Sequence, residues 1–233
     1  MNIDSEPIKY SNLFIKWKNK FEQSGCKIEK IRILSAVKRD EQKYRSIYLE
    51  CDYVTPEQYR QTRTILLRGP AVVVLPICII KSELNFVVVR QRRIFDGKYT
   101  TEFPSGGVDD EDNESKDPFR MAAIRELLEE TGITITPERL VMLQENVIVC
   151  SSAMDEAATW FATLLSLEDL NNLKRISGNQ KDGEFITTCL ISESELSLER
   201  TSHILTGLGL LRVKRLNLQG YSDMGKIPYL KGL

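Results

Sequence analysis

The chain has 233 residues, of which 42% are hydrophobic and 28% are charged, as expected for a globular protein with one large domain or one domain and a smaller appendage. Its 32 basic and 33 acidic side chains nearly cancel, which argues against nucleic acid or an anionic membrane surface as a partner. The single histidine, His203, excludes multi-histidine metal sites and would have to carry any Ser–His or Cys–His catalysis.

The cysteines and the N-terminal sequence predict a cytoplasmic protein. The five cysteines are scattered and form no C-x-x-C pair, so we expect reduced thiols rather than a disulfide framework or a zinc site. The first twenty residues contain no apolar signal core, and no run of 18 apolar residues occurs in the chain. A membrane-spanning segment is therefore not expected.

Residues 1–68 are predicted to form a small β-rich segment that follows a polar helical opening. Strands are expected over Ile28–Val37 and Arg45–Val54, and Thr55–Glu57 indicates a turn that leads into a helix. A Gly-Pro pair then breaks the pattern, so residues 69–233 are predicted to form a second, larger domain.

The larger domain alternates apolar strands with helices, an order that predicts an α/β fold with helices packed on a mixed sheet. The expected strands are Ala71–Ile80, Phe86–Arg90, Leu140–Cys150, Ala158–Leu165 and Phe185–Ile191. A closing amphipathic helix is expected over Ser192–Leu216.

A well-delimited helix is predicted between the second and third of these strands. Asp117 is a suitable N-cap, Pro118 is favoured at the first helical position, and Gly132 can take the left-handed conformation that ends a helix. Leu127 and Leu128 are expected to point into the core.

Three glutamates of this helix can converge on one side. Glu126 precedes Glu129 by three residues and Glu130 by four. A hard divalent cation such as Mg²⁺ binds carboxylate, water and phosphate oxygens, which this arrangement offers. An acidic stripe is also common on solvated helix faces, so the spacing alone leaves both interpretations open.

The complete string around these glutamates is more specific than their spacing. Arg125-Glu126-Leu127-Leu128-Glu129-Glu130-Thr131-Gly132-Ile133 matches the second half of the Nudix box, R-E-U-x-E-E-x-G-U with U apolar, at every specified position. The sequence therefore resembles the Nudix hydrolase family. The first half departs from the pattern, because Asp117 stands where the family has Glu, and ten residues rather than five separate it from Gly106. The extra residues fall in the acidic loop 109–116, which is expected to be solvated.

The resemblance implies a Nudix-type α/β/α sandwich around a mixed sheet, with a small N-terminal β-rich segment. It implies a bound Mg²⁺, or alternatively Mn²⁺, with Glu126 and Glu130 as the main ligands. Glu129 would assist, and the backbone carbonyl of Ser105 would complete the metal site. Arg125 would be structural and would bridge to a box carboxylate.

Three strings outside the helix resemble the ADP-sugar pyrophosphatases of this family. They are Gly69–Pro76, Val89–Arg93 and Glu102–Gly106. This resemblance implies that a nucleoside diphosphate sugar, either ADP-ribose or ADP-glucose, is hydrolysed to AMP and a sugar phosphate.

Four residues are candidates for substrate binding. Arg90 and Arg93 suit a diphosphate because a guanidinium can donate to two phosphate oxygens at once, although both could instead be surface residues that flank a strand. Glu102 is expected to face the metal or the substrate. Glu156 ends a segment that stands where the resembled group has a Ser-Pro-Gly loop followed by an acid, and here that Pro and Gly are absent.

The catalytic base is left open among three carboxylates. Glu184 resembles the acidic residue that a later loop supplies in this group, Asp182 is the reserve, and Glu129 is the third candidate. Either loop residue could instead be an exposed turn carboxylate. Phe95 and Tyr99 are candidates for stacking on adenine.

The resemblance also implies a homodimer formed with the help of residues 1–68. Two alternatives stay open. The first is a Nudix hydrolase of another nucleoside diphosphate derivative. The second is a Nudix-fold nucleotide sensor without catalysis, which Asp117 and the absent Ser-Pro-Gly loop favour and the intact glutamates oppose.

Overall fold

The computed structural model describes residues 6–40, 43–81, 83–109, 112–177, 185–196 and 203–218, with the backbone alone over 214–218. The chain divides into two compact units. The first comprises Met1–Ala71 and Asn146–Ala158, and the second comprises Val72–Glu145 and Thr159–Leu233. Within the described ranges, no helix is long and apolar enough to cross a membrane.

Two helices open the described chain, seven strands follow, and the remaining helices and strands are interspersed after them. The helices are α1 (Glu6–Lys9), α2 (Asn12–Gln23), α3 (Pro118–Thr131), α4 (Leu167–Leu170), α5 (Glu193–Leu196) and α6 (Ile204–Leu218). The strands are β1 (Lys27–Lys38), β2 (Tyr44–Val54), β3 (Arg60–Leu67), β4 (Ala71–Ile80), β5 (Glu83–Arg92), β6 (Tyr99–Glu102), β7 (Ser105–Gly107), β8 (Val141–Ile148), β9 (Ala157–Leu164), β10 (Ile176–Ser177) and β11 (Ile186–Ser192).

The first unit contains a three-stranded antiparallel sheet with the order β1-β2-β3. Side chains alternate between its two faces, so Ile47 and Leu49 of β2 point to the same side and are wholly buried. They pack in one cluster with Phe14 and Trp17 of α2. One face of this sheet is thus a core and the other is exposed.

The segment Thr55–Glu57 shows a local error in the sequence interpretation. The predicted helix after this turn is wrong, because Thr55 and Tyr59 close a short turn through their backbones and β3 follows at once. Strand β3 itself was not expected. Its sequence is rich in exposed Arg, Gln and Thr and carries little hydrophobic pattern, since most of one face is open to solvent.

The second unit is built on a large mixed sheet with the order β10-β11-β5-β4-β9-β8, to which β6 adds beside β5 and β7 beside β4. Helix α3 covers one face, where Ala122 and Leu127 pack in a cluster with Val74 and Phe161. Residues of opposite parity on the same strands, such as Trp160, face the other way.

Helix α6 covers that second face of the sheet. A methyl group placed on Gly207 would lie 2.8 Å from the ring of Phe103 and 2.9 Å from that of Trp160, so α6 packs closely against both rings. With α3 and α6 on opposite faces, the predicted α/β sandwich is confirmed.

Helix α3 begins and ends where the sequence predicts. The Asp117 carboxylate accepts a hydrogen bond from the backbone N–H of Arg120 at 3.1 Å, and Gly132 has φ +79°. Leu127 is buried as expected, but Leu128 is 41% exposed, so its predicted core position is wrong. Adjacent helix residues differ in direction by about 100°, and only one of the two leucines can face the sheet.

The C-terminal helix begins later than expected. Strand β11 continues through Ser192, and the short helix α5 follows directly. The Ser192 hydroxyl oxygen accepts from the backbone N–H of Glu195 at 3.3 Å and thereby caps α5, while the Glu195 carboxylate accepts from the Ser192 backbone N–H at 3.2 Å. Helix α6 starts only at Ile204, so the prediction of one helix from Ser192 is wrong at its N-terminal end.

Candidate active site

Strand β7 lies directly beside α3 and places the backbone against two box glutamates. The N–H of Ser105 donates to a carboxylate oxygen of Glu130 at 3.0 Å. A Cβ added to Gly106 would lie 2.1 Å from the carboxyl carbon of Glu126. Only glycine therefore fits at position 106 without displacing that carboxylate. The structure brings Ser105, Glu126 and Glu130 together, and the ligand role of the Ser105 carbonyl stays a prediction.

Glu130 is buried and Glu126 is largely buried, and desolvation raises the pKa of both. The pKa of Glu130 lies well above its usual range because of desolvation, which the Ser105 N–H opposes and the nearby Glu126 charge reinforces. Burial raises the pKa of Glu126 to about 7, against the opposing effect of the Arg125 guanidinium. Two carboxylates are thus held in a place where negative charge is poorly compensated.

Glu129 has a different environment on the same helix. Its side chain is 59% exposed, and its carboxylate lies 3.5 Å from the Arg125 guanidinium. Its carboxylate is in contact with solvent, whereas those of Glu126 and Glu130 are largely shielded from it. Glu129 is accordingly available for a role that requires contact with solvent.

Arg125 ties the helix to the preceding loop. Its Nη1 donates to Glu126 at 2.7 Å, and its Nη2 donates to the carbonyl of Gly107 at 2.9 Å and to Asp112 at 2.9 Å. The expected structural bridge to a box carboxylate is present through Glu126. Asp117, which stands at the box position of the family's Glu, pairs instead with Arg120 at 3.0 Å.

The loop that contains the extra residues is more than a solvated connection. Asp112 is only 7% exposed, and its carboxylate accepts from Arg125 and from the backbone N–H of Asp109 at 2.8 Å. The expectation of a solvated loop is wrong at this residue, because Asp112 neutralises a partly buried guanidinium. No feature of the loop's composition distinguished Asp112 from its acidic neighbours.

A second ion pair lies on the β5–β6 side of the unit. Arg93 donates from Nε and Nη2 to the two carboxylate oxygens of Glu102, at 2.8 and 2.5 Å. Glu102 is 2% exposed and Arg93 is half-exposed. The charges of both residues influence the pKa of Glu130, so this pair and the α3 carboxylates share one electrostatic environment.

His203 is a residue near this pair that the sequence did not assign to the site. Its Nε2 lies 3.9 Å from Glu102, and its ring stacks on Phe103 and meets Trp160 edge-on. Among the described residues, neither ring nitrogen has a hydrogen-bond partner. Burial lowers the pKa of His203 against the opposing effect of Glu102, so the ring is held neutral.

The remaining substrate candidates on the β5–β6 hairpin are closer to solvent. Arg90 donates from Nε to the hydroxyl of Thr101 at 3.2 Å, across the strand pair. Phe95 is exposed at the hairpin tip. Tyr99 is half-exposed and lies under the Arg92 guanidinium, 4.4 Å from ring centroid to Cζ.

The other candidates do not fall in the described part of the second unit. Glu156 belongs to the first unit, where it lies 3.4 Å from Arg68. The neighbouring Asp155 accepts from the backbone N–H groups of Arg68 and Gly69. Asp182 and Glu184, the two loop candidates for the catalytic base, lie outside the described residues.

The donor set around α3 fits a hard divalent cation in its chemistry. Acidic groups outnumber guanidinium groups in this environment: Glu102, Asp109, Asp112, Glu126, Glu129 and Glu130 against Arg93 and Arg125. A dication would relieve the mutual repulsion and desolvation that raise the pKa of the buried glutamates.

The carboxylates of this donor set do not converge on one metal position in the described part of the chain. In the part of the chain that the structure describes, no three His, Cys, Asp or Glu side chains share a metal position. Glu126 is turned toward Arg125, and Glu130 accepts from Ser105. The residues fit a cation by type and burial, and binding would require them to exchange these partners.

Comparison with known proteins agrees with this geometry. The NUDIX domain family matches residues 67–204. A curated relative, Nudix hydrolase 14, chloroplastic, of Arabidopsis thaliana, is 29% identical over 159 residues, which cover 63% of this chain and 50% of the relative. The chain therefore spans about half the length of that relative.

A solved structure of an ADP compounds hydrolase superposes with a TM-score of 0.50 and 16% sequence identity. The superposition covers 84% of this chain and 97% of the other, and at this identity it shows the fold alone. The family match extends over more than half of the chain and includes the box helix and the strand that packs against it. The resemblance in the box sequence is thereby confirmed, and the chain belongs to the Nudix family.

Proposed function

We propose that this chain is a hydrolase that cleaves the diphosphate linkage of an ADP-sugar, ADP-ribose or ADP-glucose, to AMP and a sugar phosphate. Water would add to one phosphorus, the bridging P–O bond would break, and a carboxylate would take the proton from the water. The observation that carries the proposal is the burial of Glu126 and Glu130 against the Gly106 backbone, next to the Arg93–Glu102 pair.

Glu126 and Glu130 would hold the cation, Mg²⁺ or Mn²⁺, with Glu129 and the Ser105 carbonyl assisting. When bound, such a cation neutralises diphosphate charge and lowers the pKa of a coordinated water. The close packing of β7 on α3 supports this assignment. The Ser105 N–H holds the Glu130 carboxylate, and the Glu126 carboxylate fits only because residue 106 is a glycine.

Arg93 would bind the diphosphate, with Arg90 on the same strand pair assisting. Glu102 aligns the Arg93 guanidinium through two hydrogen bonds and is itself buried, so it acts as an anchor more than as a direct ligand. A preformed guanidinium loses little rotamer entropy when it binds phosphate oxygens. Glu156 pairs with Arg68, and its role in substrate binding stays a prediction.

Glu129 is our choice of catalytic base among the described residues. Its carboxylate is exposed and lies on the same helix as the two buried glutamates, so it can accept a proton from a water placed near them. Glu184 and Asp182 stay as candidates on the basis of the family resemblance.

The substrate class is tested with purified protein and a panel of diphosphates. We expect ADP-ribose and ADP-glucose to be cleaved in Mg²⁺ or Mn²⁺, with activity abolished by EDTA and restored by the cation. The panel includes a dinucleotide, a nucleoside triphosphate and coenzyme A. Mass spectrometry of products made in oxygen-18 water identifies the phosphorus that is attacked.

Cleavage of another panel member without cleavage of an ADP-sugar would sink the proposed substrate class. No turnover of any diphosphate, together with tight nucleotide binding, would instead support a sensor.

Glu130→Gln tests the buried carboxylate directly. We expect at least about 100-fold loss of turnover, because even outer-shell metal partners are commonly worth 10–100-fold. The melting temperature should not fall, since Gln keeps the acceptor for the Ser105 N–H and removes a poorly solvated charge. Exposed Glu145→Gln is the matched control. Magnesium-dependent turnover that survives in Glu130→Gln would refute the metal assignment.

Two adjacent glycines offer a test of the Glu126 position. Gly106→Ala would push the Glu126 carboxylate from its place, and a displacement of about 1 Å can cost about 100-fold in rate. Gly107→Ala meets nothing within 4 Å and should stay within about twofold of the parent. Steady-state kinetics and circular dichroism separate lost activity from lost fold. Equal activity of the two variants would contradict the proposed arrangement.

We also propose that the first unit forms a homodimer through the exposed face of its sheet. Val37 and Tyr48 are exposed, and both lie on the side opposite the buried Ile47 and Leu49. Register supports this placement, because Val37 pairs with Ser46, which shares a face with Tyr48. Exposed apolar side chains on an open sheet face suit contact with a second copy.

Light scattering after size exclusion tests the dimer. The wild type should show twice the chain mass of 26.7 kDa. Val37→Asp combined with Tyr48→Asp should give the monomer, because burying unpaired charge at an interface is strongly unfavourable. Tyr59→Asp, at an exposed loop residue, is the control. A monomeric wild type would rule the dimer out.

A further inference from the structure

The loop between β7 and α3 supplies partners to Arg125 that the box sequence does not specify. Asp112 accepts from both Nε and Nη2 of Arg125, at 3.4 and 2.9 Å, and Asp109 lies 3.5 Å from the same guanidinium. Both residues belong to the stretch in which this chain has ten residues where the box pattern has five.

The box position that should carry Glu has a different task here. Asp117 caps α3 through the N–H of Arg120 and pairs with the Arg120 side chain, which in turn donates to the carbonyls of Pro137 and Leu140. Asp117 therefore fastens the start of the helix to the segment that follows it. In the part of the chain that the structure describes, the carboxylates within 4 Å of the Arg125 guanidinium are those of Asp109, Asp112, Glu126 and Glu129, and Asp117 is not among them.

We propose that Asp112 is a positioning residue that replaces the missing box glutamate, holding Arg125 so that Arg125 sets the orientation of Glu126 for cation binding. The guanidinium is planar, and its donors point in fixed directions. With Nε and Nη2 fastened to Asp112 and to the Gly107 carbonyl, the remaining Nη1 is directed at Glu126, to which it donates at 2.7 Å.

The charge of Asp112, like its geometry, is expected to favour cation binding at the α3 glutamates. Arg125 lies next to Glu126 and Glu129, so its positive charge would repel a cation that these glutamates bind. The Asp112 carboxylate is 7% exposed and contacts the guanidinium directly, which offsets that charge at short range and with little screening by water. Loss of the Asp112 charge should therefore weaken cation binding even if the helix stays in place.

This inference rests on the proposed cation site, and its test is Mn²⁺ binding followed by electron paramagnetic resonance on the full chain. We expect Asp112→Asn to weaken Mn²⁺ binding by about tenfold or more, as outer-shell changes commonly do, and Arg125→Gln to weaken it less, because loss of the Glu126 alignment is partly offset by removal of the repelling charge. The double variant should match Arg125→Gln within about twofold, because Asp112 acts through Arg125. In the turnover of ADP-ribose, kcat should fall while KM for the sugar nucleotide changes little.

Asp117→Asn is the matched control, with the same change of charge at the neighbouring carboxylate. It keeps the helix cap, since Asn and Asp cap equally well, and weakens the ion pair with Arg120, so it should lower the melting temperature by no more than about 2–4 °C and leave Mn²⁺ affinity within about twofold of the parent. Asp112→Glu, which keeps the charge, should fold and retain more of the Mn²⁺ affinity than Asp112→Asn. If Asp112→Asn gives no folded protein, Asp112→Glu is compared with the parent, and a several-fold loss of affinity is expected from the displaced guanidinium.

Several outcomes would overturn the inference. The first is an unchanged Mn²⁺ affinity in Asp112→Asn or, if that variant does not fold, in Asp112→Glu. The second is a loss of Mn²⁺ affinity in Asp117→Asn as large as that in Asp112→Asn. The third is a double variant in which the two single losses of Mn²⁺ affinity multiply. Wild-type protein that binds no Mn²⁺ would overturn both this inference and the cation site. Wild-type protein that binds Mn²⁺ but cleaves no ADP-sugar would refute only the proposed substrate class, because the Mn²⁺ measurements would still decide the role of Asp112.

Discussion

The burial of negative charge on α3 is the constraint around which the second unit is arranged. Glu126 and Glu130 lie one helical turn apart and both face β7, where neither can be hydrated fully. Ionised carboxylates in such a place are costly unless hydrogen bonds or opposite charges compensate them. The Ser105 N–H donates to Glu130, and the Arg125 guanidinium donates to Glu126. Gly106 leaves the space that the Glu126 carboxylate occupies. A divalent cation would supply what remains, which supports the proposed metal site.

Two guanidiniums then connect this charge to the rest of the unit. Arg125 joins α3 to the loop before it, and Arg93 joins the end of β5 to Glu102 at the end of β6. Both arginines are anchored by a buried carboxylate, Asp112 in one case and Glu102 in the other. An arginine that is anchored in this way points its hydrogen-bond donors in a defined direction. The buried carboxylate that anchors it is stable only while it stays paired.

Prediction from sequence succeeded where a local rule decides the structure. The start and end of α3 depend on Asp117, Pro118 and Gly132, and the apolar runs of β4 and β5 form strands because both of their faces are buried. It failed where tertiary contact decides. Leu127 and Leu128 are the same residue type in adjacent positions, but Leu127 faces the sheet and Leu128 faces solvent. Asp112 could not be distinguished from other acids of its loop, since its burial follows from a partner thirteen residues later.

The family assignment and the substrate assignment depend on different parts of the molecule. In the proposed site, the α3 glutamates and the Gly106 backbone would hold a cation that acts on a diphosphate, whatever is attached to it. Under the proposal, recognition of the sugar nucleotide would depend instead on Arg93 and Glu102, which follow β5 and end β6. Under the same proposal, substitutions at these two residues would change the substrate without changing α3. The ion pair of Arg93, more than the box itself, is what ties the proposed ADP-sugar specificity to this chain.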